Sequence, residues 1–191
     1  TKVKLYSIKN RKSKVNISEV ARTSKRGDSF GEFYKGLPDI LAAKNFRAVV
    51  EALVSARRRG RMVIFMLGAH VIKCGLSPLI IDLMKKGLIK TVAMSGAGII
   101  HDVEFAMTGS TSEDVGQGVL DGSFGMARET AEFINGAINA GCGPCSPASV
   151  RGIGEVVGGR ISGDKLKYSS SSILCACYRL KVPVCVHVAI G

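Results

Sequence analysis

The chain has 191 residues, enough for one domain with a sizeable core, and its apolar fraction of 46% excludes disordered and collagen-like classes. Net charge is +12 and unevenly placed: residues 1–61 hold 16 Lys/Arg against 5 Asp/Glu, while residues 62–191 hold 11 against 10. The basic excess therefore belongs to the N-terminal third and not to the core. No apolar run reaches the roughly 18–20 residues of a spanning helix, which argues against a membrane partner. The opening Thr1-Lys2-Val3-Lys4 lacks the apolar segment of a signal peptide, and six Cys in that setting read as reduced thiols in a cytoplasm. A start without Met, and a stop at Gly191 directly after a run that reads as a buried strand, lead us to expect a fragment.

Residues 1–36 read as a basic, extended arm with polar breaks at Asn10–Lys14 and Ser24–Asp28. Residues 37–61 carry a helical pattern: Leu41, Phe46, Val49, Val50, Leu53 and Val54 share one face, expected to pack on the core. Arg57-Arg58-Arg59-Gly60 suits the negative end and cap of that helix. Residues 62–191 then change style. Met62–Leu67 is a short continuous apolar run, as in a strand buried on both faces. Gly68–Gly75 reads as a loop, and Ser77-Pro78 as a helix start with Ser as N-cap, the helix ending at Gly87. Ile89–Met94 is a second strand, Ser95–Gly98 a tight turn, and Ile99 to about Thr108 a helix. Further helices are expected over Gly125–Ile138 and Ser172–Leu180, with a third strand over Val182–Ile190. Alternating strands and helices predict an α/β fold, a Rossmann-like parallel sheet with helices on both faces, incomplete at its C-terminus.

Ser95-Gly96-Ala97-Gly98 lies between a strand and a helix, where glycines let backbone N–H groups approach an anion such as a dinucleotide pyrophosphate. The full fingerprint needs Gly at position 101, where His101 stands, so a plain tight turn is an equal reading. Gly152, Gly154 and Gly158 form a second cluster without a preceding strand, which suggests close helix–helix packing.

Several blocks together resemble the deoxyhypusine synthase family, and more narrowly its bacterial deoxyhypusine-synthase-like branch. They are Gly68–Leu76, Ser95–Asp102, Thr111–Val115 and Asp121–Gly125, within a likeness running from about Leu37 to Gly191 with a break near 142–150. The resemblance implies a Rossmann-like fold, a homotetramer and bound NAD. It also implies transfer of an aminoalkyl group from a polyamine or related amine to an acceptor amine, through an imine on a lysine. Position by position, it assigns NAD contacts to Ser95, Gly96, Ala97 and Gly98, and to the loop of Ala69, His70 and Gly75. Asp102 matches an acidic residue placed to bind substrate, and His101 is the candidate for catalytic polar work. Where the authentic synthases carry two Glu, this chain has Ile100-His101, which points to weak use of spermidine or to another amine. The family's imine-forming lysine belongs to a C-terminal segment outside this sequence. The alternative is a catalytically incomplete module that binds NAD or another ligand.

The remaining reactive side chains have plainer readings. Cys142-Gly-Pro-Cys145 has thioredoxin spacing but follows a helix instead of a strand, so a thiol redox protein is a lesser alternative. Cys175 and Cys177 would point about 200° apart on a helix, which suits buried hydrophobes and not a metal site. His187 within the third strand reads as a core histidine, Lys73 as a surface or phosphate-binding lysine, and Glu113-Asp114 as a helix N-terminus. The basic arm is expected to pack on neighbouring subunits in preference to nucleic acid, since no recognition-helix or zinc pattern accompanies its charge.

Overall fold

The computed structural model describes residues 3–141 and 151–188. The chain divides into two compact units, Thr1–Arg58 and Arg59–Gly191. Cys142 and Cys145 lie outside the described residues.

The first unit is not wholly extended. Helix α1 (Phe30–Gly36) forms inside the expected arm, nucleated by a reciprocal cap in which Ser29 accepts from the Glu32 amide and the Glu32 carboxylate accepts from the Ser29 amide at 2.7 Å. Helix α2 (Leu41–Arg58) starts four residues after Leu37 and ends on Arg57 and Arg58, which complement its negative end. Tyr34 meets the Phe46 ring edge-on, and the Arg47 guanidinium lies over the Tyr34 ring. Every described residue of this unit is nonetheless exposed or half-buried.

The second unit is an α/β domain with a three-stranded parallel sheet flanked by helices. Strands β1 (Ile64–Leu67), β2 (Thr91–Ser95) and β3 (Val184–His187) lie in that order. Met66 pairs with Ala93, and Met94 with Val186. Between β1 and β2 come α3 (Ala69–Lys73) and α4 (Ser77–Lys85). The expected loop at Gly68–Gly75 is therefore a short helix, closed by Gly75 in the left-handed region, φ +74°. Leu76, not Ser77, is the N-cap of α4, and Pro78 sits in its first turn where no amide is needed.

Helices α5 (Gly96–Thr108), α6 (Val115–Asp121), α7 (Arg128–Gly141), α8 (Ile153–Gly163) and α9 (Ile173–Leu180) follow β2. Residues expected as a tight turn at Ser95–Gly98 are thus the first turn of α5, with Ser95 as N-cap. The core joins Val92 and Met94 of the sheet to Met84 of α4, Ile99 and Val103 of α5, Val157 and Ile161 of α8, and Ile173 and Leu174 of α9. Glycines set the tight contacts. A Cβ on Gly158 would lie 2.4 Å from the Leu174 carbonyl oxygen, so α8 and α9 meet as closely as the glycine cluster suggested. No helix among the described residues is long and apolar enough to cross a membrane.

Candidate functional site

A cavity of about 640 Å³ opens at the carboxyl ends of β2 and β3, within the usual ~300–1,000 Å³ of small-molecule sites. Parallel sheets bind ligands at this end because helix N-termini and loops converge there. Ser95, Gly96 and Ala97 form one wall, with His187 and Val188 beside them at the end of β3. Ile100 and Glu104 extend that wall along α5, and Thr130, Ala131, Ile134 and Asn135 of α7 line the opposite side. Glu113, just before α6, completes a mostly apolar lining that holds two carboxylates.

The first turn of α5 is open to a ligand's negative charge. Ser95 takes extended backbone angles and makes no side-chain cap bond to the helix. The amides at the start of the helix are thus left for an anion, favoured there by the helix dipole. Gly98 serves packing: a Cβ there would come within 3.3 Å of the Met94 side chain, so the glycine lets α5 lie close on β2. Gly98 is buried, and Gly96 and Ala97 face the cavity. Of the four residues Ser95–Gly98 that the resemblance assigned to NAD, the first three line the cavity and Gly98 does not.

Glu104 is held in place from two sides. Thr130 Oγ1 donates to Oε1 at 3.3 Å, and the Thr111 hydroxyl donates to Oε2. Thr111 Oγ1 also lies 2.7 Å from His101 Nδ1. A threonine hydroxyl has one proton, already given to Glu104, so His101 Nδ1 must be the donor in that contact. The neutral tautomer is thereby fixed and Nε2 is left as the basic nitrogen. Burial holds the His101 pKa below its ordinary 6.5; Glu104 opposes that shift, and the charges of Lys73 and His70 add to it. His101 is consequently a neutral base near pH 7, linked to the cavity carboxylate through Thr111.

Not every expected site residue joins this cavity. Ala69, His70, Gly75, Gly98 and His101 lie outside its lining, and Gly75 borders a separate cavity of about 190 Å³ with Ser77 and Tyr168. Asp102, expected to bind substrate, does not line the cavity. It is fully buried, accepts from Ser172 Oγ at 2.6 Å, from the Ile173 amide at 2.8 Å and from the Leu174 amide at 3.0 Å, and so caps the N-terminus of α9. On α5 it lies on the buried face with Val103 and Ala106, away from the cavity-lining Ile100 and Glu104. His187 is exposed, not a core histidine, because β3 turns Val184 and Val186 inward and Cys185 and His187 outward. Cys175 and Cys177 are buried. Asp114 caps α6, accepting from the Gln117 amide at 3.2 Å, as its position suggested, while the neighbouring Glu113 accepts from the Gly125 amide at 2.7 Å and lines the cavity.

Glu104 was missed by motif reasoning. Its signal was helical spacing: Ile100 and Glu104 are four apart and share the cavity face of α5.

No family model matches the chain, and no curated protein sequence matches it significantly. Among solved structures, the apo form of ArgZ, an arginine dihydrolase from the ornithine-ammonia cycle in cyanobacteria, aligns with a TM-score of 0.50 and 17% identity. The alignment covers 79% of this chain and 19% of ArgZ. At that identity the likeness speaks to the fold alone, and the present chain spans about a fifth of that enzyme's length.

Proposed function

We propose that the α/β domain binds NAD with its pyrophosphate on the first turn of α5, and an amine against Glu104 in the same cavity. The activity we infer is that of a deoxyhypusine-synthase-like transferase, which moves an aminoalkyl group from a polyamine or related amine to an acceptor amine. The observation that carries this reading is the meeting, in one cavity, of an uncapped helix N-terminus and a carboxylate positioned by two threonines. The two ends of the cavity favour opposite charges: amides at Ser95–Ala97 suit a phosphate, and Glu104 suits an ammonium. Ile100 and Ile134 supply apolar wall for methylene groups between them. Bound NAD would supply a hydride acceptor. The chain's own contribution is to orient the two ligands and exclude water from an apolar lining, with His101 acting only behind the wall, where Thr111 links it to Glu104. Ile100-His101 in place of two Glu does not leave the cavity uncharged, since Glu104 lies one turn further along α5. A homotetramer is the assembly we attach to this reading, on the strength of the sequence resemblance.

A second reading has its own observation. None of the described residues lining the cavity is a lysine, so no amine of the cavity wall is available to form the imine. Ligand binding without turnover is the corresponding function.

Calorimetry separates these readings from each other and from neither. The wild-type chain is expected to bind NAD, and Ala97→Asp, which sets a carboxylate against the phosphate, to weaken it at least tenfold. Equal affinity in both proteins removes the site. Amine-dependent reduction of NAD, lost in Glu104→Gln while NAD still binds, supports the transferase; NAD binding with no reduction by any polyamine supports the module.

A further inference from the structure

The exposed side of β3 brings together a thiol and an imidazole that neither reading above uses. Strand alternation puts Cys185 and His187, two residues apart, on the same side. Cys185 Sγ lies 3.2 Å from His187 Nε2, closer than its other polar neighbour, the Val92 carbonyl oxygen at 3.7 Å. His187 pairs in register with Ser95 and lines the 640 Å³ cavity, so the thiol stands at the cavity's edge. We propose that Cys185 is a modification site of this protein, an exposed thiol with the His187 imidazole beside it, reactive toward soft electrophiles and low-molecular-weight disulfides.

The chemistry follows from the geometry. A thiolate is the nucleophile in thiol–disulfide exchange, and a neighbouring base raises its population near neutral pH. With a disulfide RSSR, the Cys185 proton passes to His187 Nε2 and the thiolate attacks one sulfur of RSSR. A new Cys185–S–S–R bond forms, the original S–S bond breaks, and the departing thiolate takes the proton from the imidazolium to leave as RSH. Electrons balance because one disulfide is exchanged for another. Other described cysteines are poorer candidates. Cys175 and Cys177 are buried, and burial pushes both thiols up, Cys177 to about 12. Cys74 is exposed and serves as the reference thiol.

The test exposes the reduced protein to oxidised glutathione between pH 5 and 9 and follows each cysteine by peptide mass mapping. In the wild type, Cys185 is expected to form the mixed disulfide faster than Cys74, with a pH profile displaced to lower pH. His187→Gln should slow Cys185 at pH 7 about tenfold or more and return its profile to that of Cys74, whose own rate stays fixed. Cys185→Ser should abolish that adduct alone. His187→Asn repeats the measurement with a second side chain, and reaction at the buried Cys175 and Cys177 marks any variant that unfolds. Equal Cys185 rates and profiles in the wild type and a folded His187 variant overturn the proposal. So does a wild-type Cys185 that titrates like Cys74, whatever the variants do.

Discussion

Asp102 shows how one buried carboxylate ties two elements together. Its oxygens accept from the Ser172 hydroxyl and from the amides of Ile173 and Leu174, while Ser172 itself accepts from the Cys175 amide at 2.9 Å. These bonds satisfy donors at the start of α9 from a residue on α5, 70 positions earlier in the chain. Asp102→Ala would strand buried donors and open a small void, and is expected to cost on the order of 3 kcal/mol, read as a lower urea midpoint at unchanged m. The pH dependence has a definite sign. Burial pushes the Asp102 pKa up to about 6 from its ordinary 3.8, against the pull of the three hydrogen bonds. The folded state therefore holds this proton more tightly than the unfolded chain does. The contribution is fully present below about pH 4 and is lost as pH rises through about 6. Urea unfolding of wild type and Asp102→Asn should show a stability difference that moves against the wild type from pH 4 to 6, then stays flat above about 7. A pH-independent difference would show that the folded and unfolded carboxyls titrate alike.

At the scale of elements, what the sequence revealed was what local chemistry dictates. Strands β1 and β2 fall within one or two residues of the runs Met62–Leu67 and Ile89–Met94, but β1 is not buried on both faces as its apolar run suggested: Ile64 and Met66 are exposed and Leu67 is buried. Helix α1 stayed hidden because it buries nothing; its one signal was the Ser29–Glu32 spacing at its start. The first turn of α5 read as a turn because Gly96 and Gly98 are poor helix formers, and only packing on Met94 shows why Gly98 stands there. The cavity was half legible: one wall is a local motif, whereas Thr130, Asn135 and His187 come from distant segments that only the sheet and α7 bring together. The glycine pattern of α8 carries a direct test. Gly158→Ala places a methyl against the Leu174 carbonyl at 2.4 Å and should cost about 1–3 kcal/mol, because backbone cannot step aside. Gly163→Ala, at the exposed end of the same helix with nothing near its Cβ, should be neutral or stabilising by up to about 1 kcal/mol. Thermal melts of the two variants should therefore move in different directions, and a matched loss in both would mean that helix propensity and not interhelical distance governs this segment.

At the scale of the whole molecule, the two units differ in what can hold them folded. The apolar core runs from Leu67 to Cys177 and lies entirely in the second unit. A domain of that size can bury a large share of its surface and fold cooperatively. The first unit has helical caps and an aromatic contact but no buried residue among those described, and it carries 14 Lys/Arg against 5 Asp/Glu. Capping boxes contribute about 1 kcal/mol each, small beside the ordering entropy of some fifty residues, and like charge adds repulsion. Taken separately, the units should behave unlike each other. A chain beginning at Arg59 is expected to unfold in one cooperative thermal transition, with far-UV circular dichroism retaining the α/β signal. The peptide 1–58 should show a weak, gradually melting helical signal and no heat-capacity peak. Loss of the cooperative transition in the chain from Arg59 would mean that the basic segment supplies cover the sheet domain needs.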